Sequence, residues 1–283
     1  MSVRDAARDG RPEMPYVDLL LRDLADGDAA AAAAFGRHIH WGYWDDPASA
    51  DGTYEDFGAA AERMSRQLWE AAGVRDGMRV LDCGCGIGGT LASIDERCRQ
   101  MQLVGLNIDG RQLAVARERV RAREGSTLEL VEADACALPF PDASFDAVLA
   151  VECIFHFPSR MRFLREAHRV LRPGGRLAFS DFLVRPRGIP ALLGVRLVSS
   201  LRYYGRQNRV PATLSGYAWM LGRAGLALRG YEDATPHTLP SYRVLRDRYE
   251  RLGDRSAMRA GRKLEAVSRR GYAPYAIFSA ERP

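Results

Sequence analysis

The sequence lacks the long apolar segments of membrane-spanning proteins and the repeated segments of repeat proteins. No apolar run approaches the ~20 residues that span a bilayer, no segment repeats, and Lys263 is the single lysine among 41 basic residues. The N-terminal segment MSVRDAARDGRPEMP also lacks the apolar stretch of a secretory signal. We therefore expect a cytoplasmic protein without a membrane span.

Cysteines are few and odd in number. The five occur at predicted core and loop positions, which favours a reducing compartment over a disulfide framework. Cys83 and Cys85 form C-x-C rather than C-x-x-C, and no distant Cys/His pair completes a zinc site. The sequence therefore predicts that the protein holds no metal.

Acidic residues are scarce in the C-terminal third of the chain. Residues 185–283 carry 19 basic and 7 acidic side chains, a net charge of +12, within a chain whose net charge is +5. An excess of basic residues of this kind can simply cover solvent-exposed helix faces. It can also bind an anionic acceptor, an anionic surface or nucleic acid. Arg202, Arg206 and Arg209 could bind a carboxylate or phosphate on an anionic acceptor. Binding to nucleic acid is less favoured, because the sequence contains no recognisable RNA-binding module.

From residue 78 onward, short apolar segments alternate with helical patterns. Such alternation predicts a doubly wound, Rossmann-like α/β fold with a mainly parallel sheet of about seven strands. Strands are predicted at 78–82, 102–107, 127–131, 146–152, 176–182, 226–234 and near the C-terminus. The last two are expected to pair antiparallel at the edge of the sheet. The intervening helices are predicted at 88–99, 110–123, 158–171, 213–224 and 240–270.

The chain divides into three parts. Residues 1–13 are predicted to be disordered, and residues 14–72 to form a helical cap with helices at 15–36 and 53–72. Residues 73–283 form the predicted core, with a helical lid inserted at 185–215.

The segment VLDCGCGIGG at 80–89 places a glycine-rich loop after the first strand. Gly84, Gly86 and Gly89 satisfy G-x-G-x-x-G, which alone also fits a dinucleotide site. However, Asp82 would repel a pyrophosphate and is suited to an ammonium group. The second strand ends in Asn107 instead of the acidic residue that binds a dinucleotide ribose. A cofactor without phosphates is therefore favoured over a dinucleotide, the alternative left open.

Three segments in order and spacing resemble the class I S-adenosylmethionine-dependent methyltransferases. They are VLDCGCGIGG, EADACALPFPDASFDAV and LREAHRVLRPGGRLAFSDF, which together span roughly residues 75–185. The resemblance implies S-adenosyl-L-methionine as cofactor. It assigns the methionine end to Asp82, Gly84 and Gly86, the ribose to Asn107 and Ile108, and the adenine to Asp134 and Ala135. Because an amide oxygen is a single acceptor group, we expect Asn107 to make weaker ribose contacts than a carboxylate.

The segment HIHWGYWDDP resembles the N-terminal part of tocopherol, sterol and natural-product sugar methyltransferases. By that resemblance Tyr43 and Trp44 would close over the cofactor, with His38 or His40 near its methionine end. The alternative is a packed aromatic hinge without ligand contact.

Two segments indicate the chemistry. VECIFHF and SDF resemble the rebeccamycin-type sugar O-methyltransferases, which carry a His-His pair and an Asp there. Phe155-His156 stands in place of the pair, and Asp181 matches the Asp. His156 is therefore predicted to be the base that deprotonates an acceptor hydroxyl, with Asp181 orienting it; a helix cap and a plain strand end are the alternatives. Phe155 and Phe157 favour an apolar acceptor.

The predicted function is methyl transfer to a small natural-product-type acceptor, at oxygen, by in-line displacement. C-methylation of a quinone, phenol or isoprenoid is an alternative. In that case Glu152, in the cofactor site, could assist proton removal or stabilise a cation. An RNA methyltransferase and a non-catalytic cofactor-binding protein are further alternatives. The sequence leaves a homo-oligomer open.

Overall fold

The computed structural model describes residues 14–188 and 212–283. The predicted disordered tail and most of the predicted lid, including Arg202, Arg206 and Arg209, lie outside the described residues.

The described residues form a seven-stranded sheet in the order β3-β2-β1-β4-β5-β7-β6. The strands are β1 (Arg79–Cys83), β2 (Gln102–Asn107), β3 (Thr127–Glu132), β4 (Phe145–Ala150), β5 (Leu171–Phe182), β6 (Ala227–Asp233) and β7 (Tyr275–Glu281). Strands β1 to β5 pair in parallel, whereas β7 pairs antiparallel with both β5 and β6. The predicted α/β fold with an antiparallel pair at its edge is confirmed.

The helices lie around this sheet. They are α1 (Pro15–Ala25), α2 (Ala29–Phe35), α3 (Tyr54–Ala71), α4 (Gly89–Arg97), α5 (Gly110–Arg119), α6 (Arg160–Val170), α7 (Leu214–Arg223), α8 (Thr235–Thr238), α9 (Ser241–Arg251) and α10 (Arg255–Arg269). Two apolar clusters form because successive strand residues point to opposite faces. On β1, Val80 packs into the cluster of α3, α4, α9 and α10, and Leu81 into that of α6 and α7.

Two predicted helices are broken in the structure, and one predicted strand begins earlier. The helix predicted at 15–36 is interrupted at Gly27, whose φ is +76°, and Asp28 caps a new helix by accepting from the N–H of Ala31. The helix predicted at 240–270 breaks in the same way at Gly253, whose φ is +64°. Strand β5 begins at Leu171 rather than at residue 176, so the RPGG segment is part of the strand.

The carboxyl ends of the parallel strands lie at one edge of the sheet. At β1, Asp82 is in register with Gly105 of β2 and with Leu149 of β4. The strand order reverses between β1 and β4, and ligands of open α/β sheets bind outside the strand ends at such a reversal. The topology therefore places a binding site at the ends of β1, β2 and β4.

Candidate active site

A cavity of about 660 Å³ lies at this edge of the sheet. Its walls come from the glycine loop, the ends of β2 and β4, the segment 37–40 and the start of α1. Nine of the residues predicted for the site line it: Asp82, Gly84, Gly86, Asn107, Ile108, Asp134, Ala135, Glu152 and His156. Tyr43 and Asp181, also predicted, do not line this cavity.

The glycine loop turns sharply because three of its glycines adopt backbone angles that other residues avoid. Gly84, Gly86 and Gly88 have φ values of +76°, +56° and +86°. The loop is anchored where the N–H of Gly84 donates to the Leu106 carbonyl of β2 at 2.6 Å. A Cβ at Gly84 would lie 2.8 Å from the Sγ of Cys153, so a larger residue there would collide with the turn after β4.

Asp82 is a buried carboxylate without a partner among the described residues. Its side chain is 1% exposed, and neither carboxylate oxygen accepts a hydrogen bond there. Burial raises the pKa of Asp82 to about 7. Buried carboxylates without hydrogen-bond partners are rare in native proteins, because desolvation of the charge is unfavourable. Such a carboxylate on a cavity wall is therefore suited to bind a cationic ligand.

Asn107, at the end of β2, already uses its amide oxygen. This oxygen accepts from the N–H of Asp109 at 3.1 Å, which leaves its second lone pair and the amide N–H2 for a ligand. Asp109 caps α5 and pairs with Arg111, which also pairs with Asp18 of α1 at 2.8 Å. Helix α1 is thereby tied to the end of β2.

Asp134 and Ala135 follow β3 on the cavity wall. One carboxylate oxygen of Asp134 accepts from the N–H of Cys136 at 2.8 Å, an interaction that fixes the turn. Ala135 is 4% exposed and presents a small apolar surface to the cavity.

Glu152 follows β4 in a left-handed conformation, with φ of +52°. Its carboxylate accepts from the N–H of Trp41 at 2.6 Å, and its own N–H donates to the Ser180 hydroxyl at 2.9 Å. Burial raises the pKa of Glu152 to about 8.

His156 ends a short 3-10 turn and lies on the cavity wall. Its Nε2 is 3.3 Å from the hydroxyl of Tyr16 on α1, and the two rings stack with centroids 6.2 Å apart. The neighbouring Phe157 and Pro158 also line the cavity. An imidazole is thus available beside an apolar surface.

Asp181 lies near the end of β5 and is fully buried. One carboxylate oxygen pairs with Arg160 at 2.7 Å and accepts from the Tyr217 hydroxyl. The described contacts therefore join Asp181 to α6 and α7, and none of them joins it to His156. Burial raises the pKa of Asp181, although Arg160 opposes the shift.

Tyr43 is packed into the fold. Its hydroxyl donates to Glu232 of β6 at 2.9 Å, and its ring stacks on His237 with centroids 4.5 Å apart. Trp44 is 1% exposed and donates to Asp56 of α3. In this structure the two aromatic residues form the packed hinge that the sequence left as the alternative.

One group of residues at the cavity was not predicted, and the two histidines predicted near the methionine end of the cofactor also line it. Met14, Tyr16 and Val17 of the first helical turn line it, and no motif distinguishes them from other helix residues. His38 and His40 line it as well, and the Ser65 hydroxyl lies between them, 3.1 Å and 2.9 Å from their ring nitrogens. Burial lowers the pKa of His40 to about 3, so this imidazole is neutral.

Comparison with known proteins identifies the family. Residues 81–179 match the family described as "Methyltransferase domain". Methyltransferase GfsG of Streptomyces halstedii is 38% identical over 215 residues, which are 74% of this chain and 73% of that protein. The chain belongs to the class I S-adenosylmethionine-dependent methyltransferases.

A second relative and a solved structure agree. The 27-O-demethylrifamycin SV methyltransferase of Amycolatopsis mediterranei is 34% identical to this methyltransferase, over 78% of each chain. Geranyl diphosphate C-methyltransferase from Streptomyces coelicolor, solved with S-adenosyl-L-homocysteine, has the same fold, with a TM-score of 0.72 and 18% identity over 96% of this chain and 100% of that one. The cofactor of this methyltransferase is S-adenosylmethionine.

The cavity fits this cofactor. The orphaned Asp82 carboxylate suits the ammonium group of its methionine part, and the glycine loop leaves room for close backbone approach. Among the described residues, no cluster of three His, Cys, Asp or Glu side chains could hold a metal ion. No helix of the described part of the chain is both long and apolar enough to cross a bilayer.

Proposed function

We propose that this methyltransferase methylates a hydroxyl group of a small, largely apolar natural-product-type acceptor, with His156 as the general base. The observation that carries the proposal is the place of His156 on the cofactor cavity, beside Phe157 and Pro158 and within reach of Tyr16. Imidazole is suited to this step because its reference pKa, about 6.5, lies near physiological pH.

The relatives support oxygen as the accepting atom. One of the two described above is named for an O-demethylated rifamycin, a natural product that carries the hydroxyl to be methylated. An apolar acceptor fits the surfaces contributed by Val17, Ile39 and Phe157.

Each end of the cavity has groups for one part of the cofactor. Asp82 is placed to bind the ammonium group, and the backbone of Gly84 and Gly86 to approach the methionine part. The side-chain amide of Asn107, beside Ile108, contacts the ribose hydroxyls with its oxygen as acceptor. Asp134 and Ala135 receive the adenine. S-adenosylmethionine, when bound, supplies an electrophilic methyl group on its sulfonium.

The chain itself contributes positioning and proton transfer. His156 accepts the hydroxyl proton as the acceptor oxygen attacks in line with the bond to be broken. Tyr16 holds the imidazole in place, and α1 covers the cavity against water through the Arg111–Asp18 pair. Holding nucleophile and methyl in near-attack geometry contributes up to ~7–11 kcal/mol in favourable systems.

C-methylation is the second candidate. The observation that favours it is Glu152, a second carboxylate on the cavity wall, half-buried and with its pKa raised to about 8, which could remove a proton from a carbon or stabilise a cation. A quinone, phenol or isoprenoid would be the acceptor in that case.

A protein of this function needs no disulfide. All five cysteines of the chain are free thiols, which supports the proposal of a reducing, cytoplasmic compartment.

Product analysis with a matched histidine pair tests the proposal. His156→Ala should lower turnover by ~10²–10⁴ and leave cofactor affinity unchanged. His168→Ala, in the last turn of α6, is the control and should keep normal turnover. NMR of the product, made with an isotopically labelled methyl carbon, identifies the accepting atom. Near-normal turnover of His156→Ala would remove this residue from the mechanism, and a methyl on carbon would favour the second candidate.

A further inference from the structure

The cavity wall includes Glu152, a half-buried carboxylate that has no role in O-methylation as proposed above. A left-handed backbone at a residue other than glycine is strained and persists only where the surroundings impose it. Here the Ser180 hydroxyl and the Trp41 N–H impose it from β5 and from the N-terminal segment. The fold therefore fixes this carboxylate on the cavity wall.

The described surroundings of Glu152 supply no compensating cation. The titratable groups that face it or share its cavity are Tyr16, Arg37, His38, His40, Asp82, Cys85, Asp134, Cys153, His156, Asp181 and Tyr275. The guanidinium of Arg37 already pairs with Glu62 and Glu96. His38 already pairs with Glu62, His40 is neutral, and the Tyr275 hydroxyl donates to Ser180. Among the described residues, the Glu152 carboxylate has an N–H partner and no ion pair.

The cofactor and its product differ in one charge. S-adenosylmethionine has an ammonium, a carboxylate and a sulfonium, whereas S-adenosylhomocysteine has the first two and a neutral thioether. A carboxylate that pairs with the ammonium group stabilises both bound ligands equally. A carboxylate next to the sulfonium stabilises only bound S-adenosylmethionine.

The carboxylates of Asp82 and Glu152 occupy different parts of the cavity wall. Asp82 lies at the start of the glycine loop, and Glu152 lies two residues before the turn Ile154–His156, which carries the base of the proposed function. We propose that Glu152 makes the cavity prefer the sulfonium cofactor over its demethylated product, while Asp82 binds the amino group that both share.

This division of labour affects release of the product. Transfer of the methyl group removes the positive charge next to Glu152 and leaves the carboxylate without a countercharge. A buried carboxylate without a countercharge favours its protonated form. Product binding is therefore weaker than cofactor binding, and the two ligands differ in the protons exchanged with solvent.

Calorimetric titration of the full chain tests the proposal without any acceptor. The probes are S-adenosylmethionine, S-adenosylhomocysteine and sinefungin, which carries an amino group in place of the sulfonium methyl. Glu152→Gln keeps an oxygen for the Trp41 N–H and removes the charge. This variant should bind S-adenosylmethionine and sinefungin about tenfold or more weakly than the wild type does. Its affinity for S-adenosylhomocysteine should be nearly unchanged.

Two further variants give matched controls. Asp82→Asn and Asp134→Asn, on the same cavity, should change the affinities of all three ligands by similar factors. An unchanged ratio of the two cofactor affinities in Glu152→Gln would overturn the proposal. So would a ratio that changes equally in Asp82→Asn.

Proton release by the wild-type protein is the second measurement, and it decides the matter if Glu152→Gln does not fold. Titrations near pH 7 in buffers of different ionisation enthalpy give the protons released on binding. Because the pKa of Glu152 is raised to about 8, a cationic ligand should expel its proton. S-adenosylmethionine should release more protons than S-adenosylhomocysteine, and equal release would overturn the proposal. The result depends on the cofactor alone, so it is independent of His156 and of the acceptor.

Discussion

The hydroxyl of Tyr16 lies 3.3 Å from Nε2 of His156, a contact between the first helix and the turn after β4. The two residues are 140 positions apart in the chain, and their rings are nearly parallel, at 20°. The contact links the helix that covers the cofactor cavity to the residue we propose as base.

Removing this hydroxyl is the first prediction. Tyr16→Phe keeps the ring and loses the hydrogen bond, so His156 should be less well oriented. Turnover should fall roughly fivefold, since a hydrogen bond of this kind is worth about 1 kcal/mol, and the pH profile of turnover should shift while cofactor affinity stays the same. Tyr54→Phe, which removes a hydroxyl bonded to Asp247 away from the cavity, should behave like the wild type. An unaltered pH profile in Tyr16→Phe would show that the contact does not influence the base.

The second prediction is a gain of affinity at the end of β2. Asn107→Asp keeps an oxygen for the N–H of Asp109 and provides a second acceptor for the ribose. Cofactor affinity, measured by calorimetry, should increase several-fold, whereas Asn107→Ala should lower it. Weaker binding by Asn107→Asp would mean that the ribose uses the amide N–H2 alone.

The third prediction concerns pH and stability. The pKa of Asp82 rises from 3.8 to about 7 on folding, so the folded protein binds more protons than the unfolded chain between those values. The free energy of unfolding therefore falls as pH rises through this window, by up to about 4 kcal/mol from this group. Without cofactor, Asp82→Asn should melt above the wild type at about pH 8, and the difference should vanish near pH 4.

Cofactor binding provides the opposite readout for the same variant. Asp82→Asn should bind S-adenosylmethionine much more weakly than the wild type does, because the ammonium group loses its carboxylate. Equal melting temperatures at both pH values would show that Asp82 is not desolvated, and equal affinity would show that it does not hold the cofactor.

The fourth prediction separates two roles for Asp181. Its carboxylate is shared by Arg160 and Tyr217 in a buried site, so Asp181→Asn should lower the free energy of unfolding by about 3 kcal/mol or more. Denaturant unfolding measures this loss, and turnover of the folded fraction should fall far less than in His156→Ala. A stable but inactive variant would instead support the His156–Asp181 pair that the sequence predicts.

Much of the fold was predictable because buried strands appear in the sequence as short apolar segments, and glycines indicate the turns between elements. The strand predicted at 102–107 has the same bounds in the structure, as a short apolar segment between turns. The breaks at Gly27 and Gly253 were missed because a single glycine is tolerated within a helical pattern, and its φ depends on the fold.

The site was predictable where a motif fixes both residue and place. The glycine loop, Asn107 and Asp134 line the cavity because each follows a parallel strand at the same edge of the sheet. Tyr16 carries no such mark, since its contact with His156 arises only from the packing of α1. The partner of Asp181 was likewise invisible, because Arg160 is one arginine among many in the sequence and only packing selects it.

Label transfer from methyl-tritiated S-adenosylmethionine tests the central claim most directly. The protein is incubated with extract of its host, and the extract is separated into organic-soluble, RNA and protein fractions, with Asp82→Asn as control. The account predicts label in the organic-soluble fraction, lost in the control, on a compound whose new methyl is carried by oxygen. Label in the RNA or protein fraction instead would contradict it.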